Sequence, residues 1–266
     1  MSDKVLEPSG LVRSRRHPGV FWTHGDSGCP RLIHAISGDG TLVRSVLVEG
    51  GSCIDWEDIA TDDKGYLFIA DTGNNANRRR DLAIHRLPEP DLNKEASTAR
   101  VDRSYRFRYA DQKAYPDPVR LNFDAEAIFW ARGELYLLTK HRGDHRTNLF
   151  RIPEEASERE VELLPIGSFH VGGEESTYGG MVTGADATQD GRYLAVLTYH
   201  ALFVFERTEG QDPYLSNLTN RIDFDMGTMQ QIESVAWDGW SVLIGNEDRE
   251  LFRLANPFEK RTTRFP

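Results

Sequence analysis

Five stretches of this sequence set an oxygen-bearing side chain into a recurring apolar frame, and a set of oxygen donors of that kind suits a hard divalent cation. The clearest are Ile54-Asp55-Trp56-Glu57-Asp58-Ile59-Ala60, Asp124-Ala125-Glu126-Ala127-Ile128-Phe129-Trp130 and Gln231-Ile232-Glu233-Ser234-Val235-Ala236-Trp237. Ser9-Gly10-Leu11-Val12 has the same shape with Ser in place of Glu, and Thr183-Gly184-Ala185-Asp186 stands before Gly191 as Glu57 stands before Gly65. The candidate metal ligands are therefore Ser9, Glu57, Glu126, Thr183 and Glu233. Carboxylates, hydroxyls and water as a donor set fit calcium best and magnesium less well. On a strand, residues two apart share a face, which adds Glu7, Asp55 and Asp124 to the same side. Carboxylates gathered this closely must take up protons, pair with cations or coordinate a metal. The plainer alternative is that some of them hydrogen-bond backbone amides while water solvates the rest.

The elements that must position these residues repeat with them. After each anchor comes a turn, a second strand, a polar loop, a third strand and a closing strand. Ser9 to Gly19, Val20 to His24, Arg31 to Ile36 and Leu42 to Val48 form the first such meander. Later units begin at Asp55, Asp124, Val182 and Ile232, with closing strands at Val101 to Tyr109, Val161 to Phe169, Arg221 to Phe224 and Arg261 to Phe265. The third strands repeat independently as Ile84-His85-Arg86-Leu87, Leu149-Phe150-Arg151-Ile152 and Leu251-Phe252-Arg253-Leu254. The anchors recur every roughly 50 to 70 residues, which accommodates four-stranded repeats of about 40 to 50 residues with unequal loops, the signature of a β-propeller. The fold predicted is all-β: one domain over residues 1–266, a five-bladed β-propeller of four-stranded antiparallel blades. A β-sandwich whose strands happen to recur is the competing architecture. The segment Pro153 to Arg159 is the best helix candidate and reads as a loop.

In a propeller the first strand of each blade lines the central channel, so the anchors would converge on one axis. The loops between second and third strands would ring the same mouth. They carry His24 and Asp26; Asp71, Asn74, Asn75 and Arg78-Arg79-Arg80; Lys140, His141 and Arg142; Tyr199 and His200; and Asn246, Glu247 and Arg249. A bound cation ringed by basic side chains would favour a small anionic substrate, a phosphate or a carboxylate. The candidate catalytic residues are Lys140 and Arg142, which would neutralise developing charge, and His141 and His200 as proton donor or acceptor. Each also has an ordinary reading, as a solvated loop tip or a structural histidine.

Bulk properties narrow the partners. A formal net charge of −10 on 266 residues argues against nucleic acid, because phosphate backbones are held by basic stripes. Apolar runs of strand length only give no transmembrane helix. Met1-Ser2-Asp3-Lys4 lacks the apolar core of a secretion signal. The expected compartment is cytoplasmic if the chain is complete, and secreted or periplasmic if a signal was removed. Cys29 and Cys53 are not spaced for zinc or an iron–sulfur cluster; one disulfide and two thiols both remain open.

The order Ser9, Glu57, Glu126, Thr183, Glu233 resembles the channel calcium site of the calcium-activated nucleotidases (apyrases), five-bladed proteins in which Ser and Glu side chains of successive blades hold one calcium ion. Thr183 departs from that pattern, where Ser would be expected. The longer strings Ser9-Gly10-Leu11, Asp55-Trp56-Glu57-Asp58-Ile59-Ala60 and Asp124-Ala125-Glu126-Ala127-Ile128 look more like a broad group of bacterial propeller proteins related to esterase-like phytases. These resemblances imply a calcium-dependent hydrolase of phosphate esters or phosphoanhydrides. Two alternatives stand beside it: a lactonase or arylesterase using His24 or His141 as base, and a non-catalytic binding or scaffold propeller whose channel metal ties the blades together. No GxSxG nucleophile motif is present.

Overall fold

The computed structural model describes residues 1–26, 30–94, 97–173, 179–210 and 213–259. Short runs rich in apolar residues, bounded by turn signals, produce β1 (Pro8–Arg13), β2 (Val20–Gly25), β3 (Leu32–Ser37), β4 (Leu42–Glu49), β5 (Trp56–Thr61), β6 (Tyr66–Asp71), β7 (Ala83–Pro88), β8 (Thr98–Arg100), β9 (Arg103–Tyr109), β10 (Asp124–Ala131) and β11 (Glu134–Lys140). They continue with β12 (Arg146–Ile152), β13 (Val161–Leu163), β14 (Gly167–His170), β15 (Val182–Ala187), β16 (Tyr193–Thr198), β17 (Ala201–Glu206), β18 (Leu218–Asp223), β19 (Ile232–Asp238), β20 (Ser241–Asn246) and β21 (Leu251–Leu254). Each of the five sheets is built on an antiparallel meander, beginning at β1, β5, β10, β15 and β19. These five strands neighbour one another in a closed circuit, β19 returning to β1. The molecule is a five-bladed β-propeller.

Both faces of each blade are apolar because each blade packs on two neighbours. Five buried clusters result among the described residues, one at each junction. Trp22, Ile33 and Val46 of the first blade meet Trp56, Ile59 and Ile69 of the second, and Phe68, Ile84 and Tyr105 meet Ile128, Leu137 and Phe150. Phe129, Tyr136 and Leu149 meet Val196, Phe203 and Phe205. Leu197 and Val204 meet Trp237 and Ile244, and Leu243 closes on Phe21 and Leu11, with Met1 packed against that junction.

Blade edges depart from the expected pattern in two places. The segment expected as one strand from Val101 to Tyr109 is preceded by β8, which pairs in parallel with β4 of the first blade, so only β9 belongs to the second. The segment from Val161 to Phe169 is likewise divided: β13 lies parallel to β9 on the second blade, and β14 closes the third. Pro165, between them, has no backbone N–H to continue a ladder. These additions cover edges that would otherwise present unpaired backbone groups. The first and second sheets thereby have five strands, and the fifth has three among the described residues. The closing strand expected at Arg261 to Phe265 lies outside the described residues. Glu154–Ser157 is a single 3-10 turn, and Met226–Met229 is one turn of α-helix.

The innermost strands share one irregularity. In β5, Trp56 pairs with Asp71 and Asp58 with Ala70, so Glu57 is an extra, bulged residue. The same two-for-one register makes Glu126, Thr183 and Glu233 the extra residues of β10, β15 and β19. In β1 the extra residue is Gly10, not Ser9. A bulge bends a strand and re-aims a side chain, and here it recurs at the channel in all five blades.

Gly10 fits only as glycine: its φ is +63°, and a Cβ there would meet the Asp58 Cα and the Ile59 nitrogen, both at 2.9 Å. Gly19 also has positive φ, +76°, but nothing within 4 Å of an added Cβ. Urea unfolding should therefore cost Gly10→Ala about 2 to 4 kcal/mol, and Gly19→Ala only about 1 to 2 kcal/mol from left-handed backbone strain alone. Equal losses would remove the channel contact as the reason for Gly10.

Candidate metal centre at the channel mouth

A cavity of about 170 Å³ opens at one end of the channel, lined by Glu7, Pro8, Ser9, Asp26, Glu57, Asn75, Glu126, Lys140, Arg142, Tyr199, Glu233 and Glu247. Every blade contributes. Bulges deliver Glu57, Glu126 and Glu233 from the inner strands, Lys140 stands at the end of β11, and the loops after β2, β6, β11, β16 and β20 deliver Asp26, Asn75, Arg142, Tyr199 and Glu247. Lys140, Tyr199 and Glu247 occupy one structural position, each following the residue opposite the start of a bulge. Six carboxylates face two cationic groups.

The two cations are already committed. Lys140 Nζ donates to Glu126 Oε2 at 2.7 Å and to the Tyr199 hydroxyl at 3.1 Å, and Tyr199 donates to Glu233 Oε1 at 2.8 Å. Glu126, Lys140, Tyr199 and Glu233 thus form one chain across blades three to five. Arg142 binds the Asp124 carboxylate, stands 3.6 Å from Glu126 Oε1 and reaches Asn75. On the side of blades one and two, Asp26, Asp55 and Glu57 each place a carboxylate oxygen within 4.8 Å of the others, and Glu57 does the same with Asp124 and Glu126. Asp55 is two residues before the bulge, as alternation requires.

Such crowding is costly. Two carboxylates about 4 Å apart repel by about 4 kcal/mol at an effective dielectric constant near 20. Burial raises the Glu57 carboxyl well above its ordinary range, and Glu126, Asp124, Asp26 and Asp55 add repulsion. Glu126 is also raised, by burial that its bond to Lys140 only partly offsets. Burial lifts Glu233 to about 7 against the pull of Lys140 and Tyr199, and burial with the Asp55 and Glu7 charges lifts Asp26 to about 6. For Lys140 burial acts downward, but Glu126 and Glu233 outweigh it and the ammonium is held charged. The cluster is short of positive charge, and it can protonate or take a divalent cation.

The residues fit such an ion in donor chemistry and in space. All donors are oxygens, as calcium or magnesium requires. Gly73 forms a cradle beneath two of them: a Cβ there would sit 2.1 Å from Glu57 Oε1 and 2.3 Å from Asp55 Oδ2. The carboxylates lie against bare backbone.

The other candidates fall in different places. Ser9 lines the cavity while its hydroxyl donates to the Glu57 carbonyl at 2.6 Å, tying the first blade to the second bulge. Thr183 is buried at its bulge with Oγ1 unpartnered and does not line the cavity. His141 is buried outside it, with Nδ1 2.7 Å from Asp144 Oδ1, and burial lowers its pKa. His200 is half-buried and does not line the cavity either. His24 is fully buried edge-on to Trp56, and burial takes it down to about 4. Arg79 is turned to Asp71 and Arg80 stacks on Tyr115. Cys53 is disulfide-bonded; Cys29, like Ser27 and Gly28, lies outside the described residues. No helix is long and apolar enough to cross a membrane among the described residues.

Sequence reasoning missed the braces below the mouth. Asp58 Oδ2 accepts from the Ile128 amide at 2.8 Å, joining blades two and three. Asp186 Oδ2 accepts from the Trp237 amide at 2.8 Å while the Trp237 indole donates to the Asp186 carbonyl at 2.9 Å, joining blades four and five. The signal available was an acidic residue within an apolar strand. The link from Lys140 through Tyr199 was also missed, although the two loops align.

The chain matches no protein-family model and no curated protein. Among solved structures it is similar to the β-propeller domain of Cps50 (Swd1) from Myceliophteria thermophila, with 14% identity over 90% of this chain and 80% of that one and a TM-score of 0.47. Hydrazine synthase of Kuenenia stuttgartiensis aligns at 12% identity over 95% and 72%, TM-score 0.49. A nidogen/laminin complex aligns at 11% over 92% and 74%, TM-score 0.49. Likenesses of this order bear on neither the site nor its chemistry.

Burial raises the Asp186 carboxyl to about 7. Because this is above the unfolded value near 3.9, its contribution to stability is complete below about pH 4 and is lost as pH rises through about 7. Asp186→Asn keeps an acceptor for Trp237 but cannot ionise. Its melting temperature relative to the native chain should therefore rise between pH 5 and pH 8. A difference that stays flat over that range would contradict the assignment.

Proposed function

We propose that this chain is a divalent-cation-binding propeller in which the ion, calcium by preference, joins the inner strands at the channel mouth and holds the blades in register. The observation that carries this reading is the excess of carboxylates over cations in the cavity, with Glu57 buried against both Asp55 and Asp124. The bulge side chains of neighbouring blades meet there, so a shared ion would stabilise the folded ring over the unfolded chain. The resemblance of the Glu57 and Glu126 strings to phytase-related propellers and apyrases is consistent with calcium. On this reading the propeller is a binding or scaffold module.

A hydrolase of phosphate esters or phosphoanhydrides is the second reading, favoured by Lys140 and Arg142 lining the same cavity as the carboxylates. It is the weaker because both cations are engaged by Glu126 and Asp124, and because His141 and His200 stand outside the cavity. A lactonase or arylesterase would need a base, and His24 is packed away from solvent.

Thermal unfolding with calcium or with chelator tests the first reading. Calcium at a hundred times its dissociation constant should stabilise the fold by about 2.7 kcal/mol, a rise of roughly 5 to 10 °C for a chain of this size. Phosphate release from ADP and from a phytate-type substrate, and aryl-ester hydrolysis, should stay at background. Melting indifferent to calcium would refute the proposal, and chelator-sensitive phosphate release would promote the second reading.

A further inference from the structure

Two groups of closely spaced carboxylates at the mouth share only Glu57, and the protein's own cations treat them differently; Glu7, Glu233 and Glu247 line the cavity outside both groups. In the group Glu57, Asp124 and Glu126, the last two are ion-paired: Glu126 to Lys140 at 2.7 Å, with Arg142 at 3.6 Å, and Asp124 to Arg142. Asp124 also accepts from the Asn74 amide at 2.6 Å. Glu233, on the far side, is tied to the same ammonium through Tyr199. In the group Asp26, Asp55 and Glu57, no Lys, Arg or His forms an ion pair with any member among the described residues. That group also contains the Gly73 cradle, where Asp55 Oδ2 and Glu57 Oε1 lie side by side over a residue with no room for a Cβ.

From this asymmetry we infer that Lys140 is a built-in cation filling the half of the mouth under blades three to five, so that a divalent ion is held off the channel axis by Asp26, Asp55 and Glu57 under blades one and two. The inference rests on the cation-binding reading above and sharpens it. A symmetric five-blade ring, with Thr183 and Glu233 as ligands, is replaced by a site with three protein carboxylates and coordination positions left for water. Calcium accepts six to eight oxygens in flexible geometry, so water completes such a shell readily. An ammonium beside Glu126 and Glu233 makes that half unattractive to a second cation by simple repulsion. Lys140 therefore acts as a positioning residue: it sets where the metal sits without touching it.

The test is calorimetric titration of calcium alone into the full chain and its variants, with melting in chelator confirming that each variant folds. Asp55→Asn and Glu57→Gln should each weaken binding about 10-fold or more, a loss of about 1.4 kcal/mol or more, while Glu233→Gln should stay within about 3-fold of the native value. Gly73→Ala, which leaves every charge in place and only fills the cradle, should also weaken binding. Lys140→Met should tighten it or add a second binding event. Losses for Glu233→Gln equal to those for Asp55→Asn would restore an axial ring and overturn the inference while leaving cation binding intact. A native chain that binds no calcium would overturn the inference and the cation-binding reading together.

Discussion

Like charges converging at the narrow end of a closed ring are the constraint on which the rest of this structure depends. Five inner strands bend at the same point, and in the second, third and fifth blades the residue released by the bend reaches a common cavity. In all three that residue is glutamate. The apolar clusters between blades hold the ring closed, so the carboxylates cannot separate without unpacking a junction. Repulsion must be met locally, and the molecule meets part of it with Lys140 and Arg142 and leaves the remainder on Asp26, Asp55 and Glu57.

This division gives the mouth two different characters. Toward blades three to five it is a hydrogen-bonded network in which an ammonium, a phenol and two carboxylates satisfy one another, and networks of that kind rigidify a site when every member is paired. Toward blades one and two it is an arrangement of oxygens over bare backbone, open to water and short of positive charge. On the proposal above, the first is framework and the second is the binding site. Below both, Asp58 and Asp186 link inner strands through backbone amides, adding braces outside the cavity to the chain of Glu126, Lys140, Tyr199 and Glu233 within it.

Much of this was legible in the sequence because the fold is repetitive. The apolar frame around Glu57, Glu126 and Glu233 marked the inner strands, and the Arg-aliphatic step near Arg86, Arg151 and Arg253 marked the third strands at the same period. The loops were placed in part: Asp26, Asn75, Arg142, Tyr199 and Glu247, with Lys140 at the end of β11, line the mouth, whereas His24, Asp71, Asn74, Arg78, Arg79, Arg80, His141, His200, Asn246 and Arg249 of the same expectation do not. The first blade was misregistered by one residue, because Ser9 resembles Glu57 chemically whereas Gly10 occupies its structural position. Its positive φ and its contact with Asp58 and Ile59 of the adjoining blade explain that glycine, and a contact between residues so far apart in sequence leaves no local mark. The histidines were misleading for a related reason. His141 follows Lys140, but successive residues leave a strand end on opposite sides, and its imidazole goes to Asp144. The parallel strands β8 and β13 pair with blades other than the ones their sequence neighbours build, so no short-range pattern could reveal them.

The most direct measurement of the central claim is an anomalous difference map from crystals grown with calcium. A peak at the channel mouth, about 2.3 to 2.6 Å from carboxylate oxygens of Asp55 and Glu57, is the result this account predicts. A mouth with no peak, its carboxylates joined in pairs by protons, would contradict it.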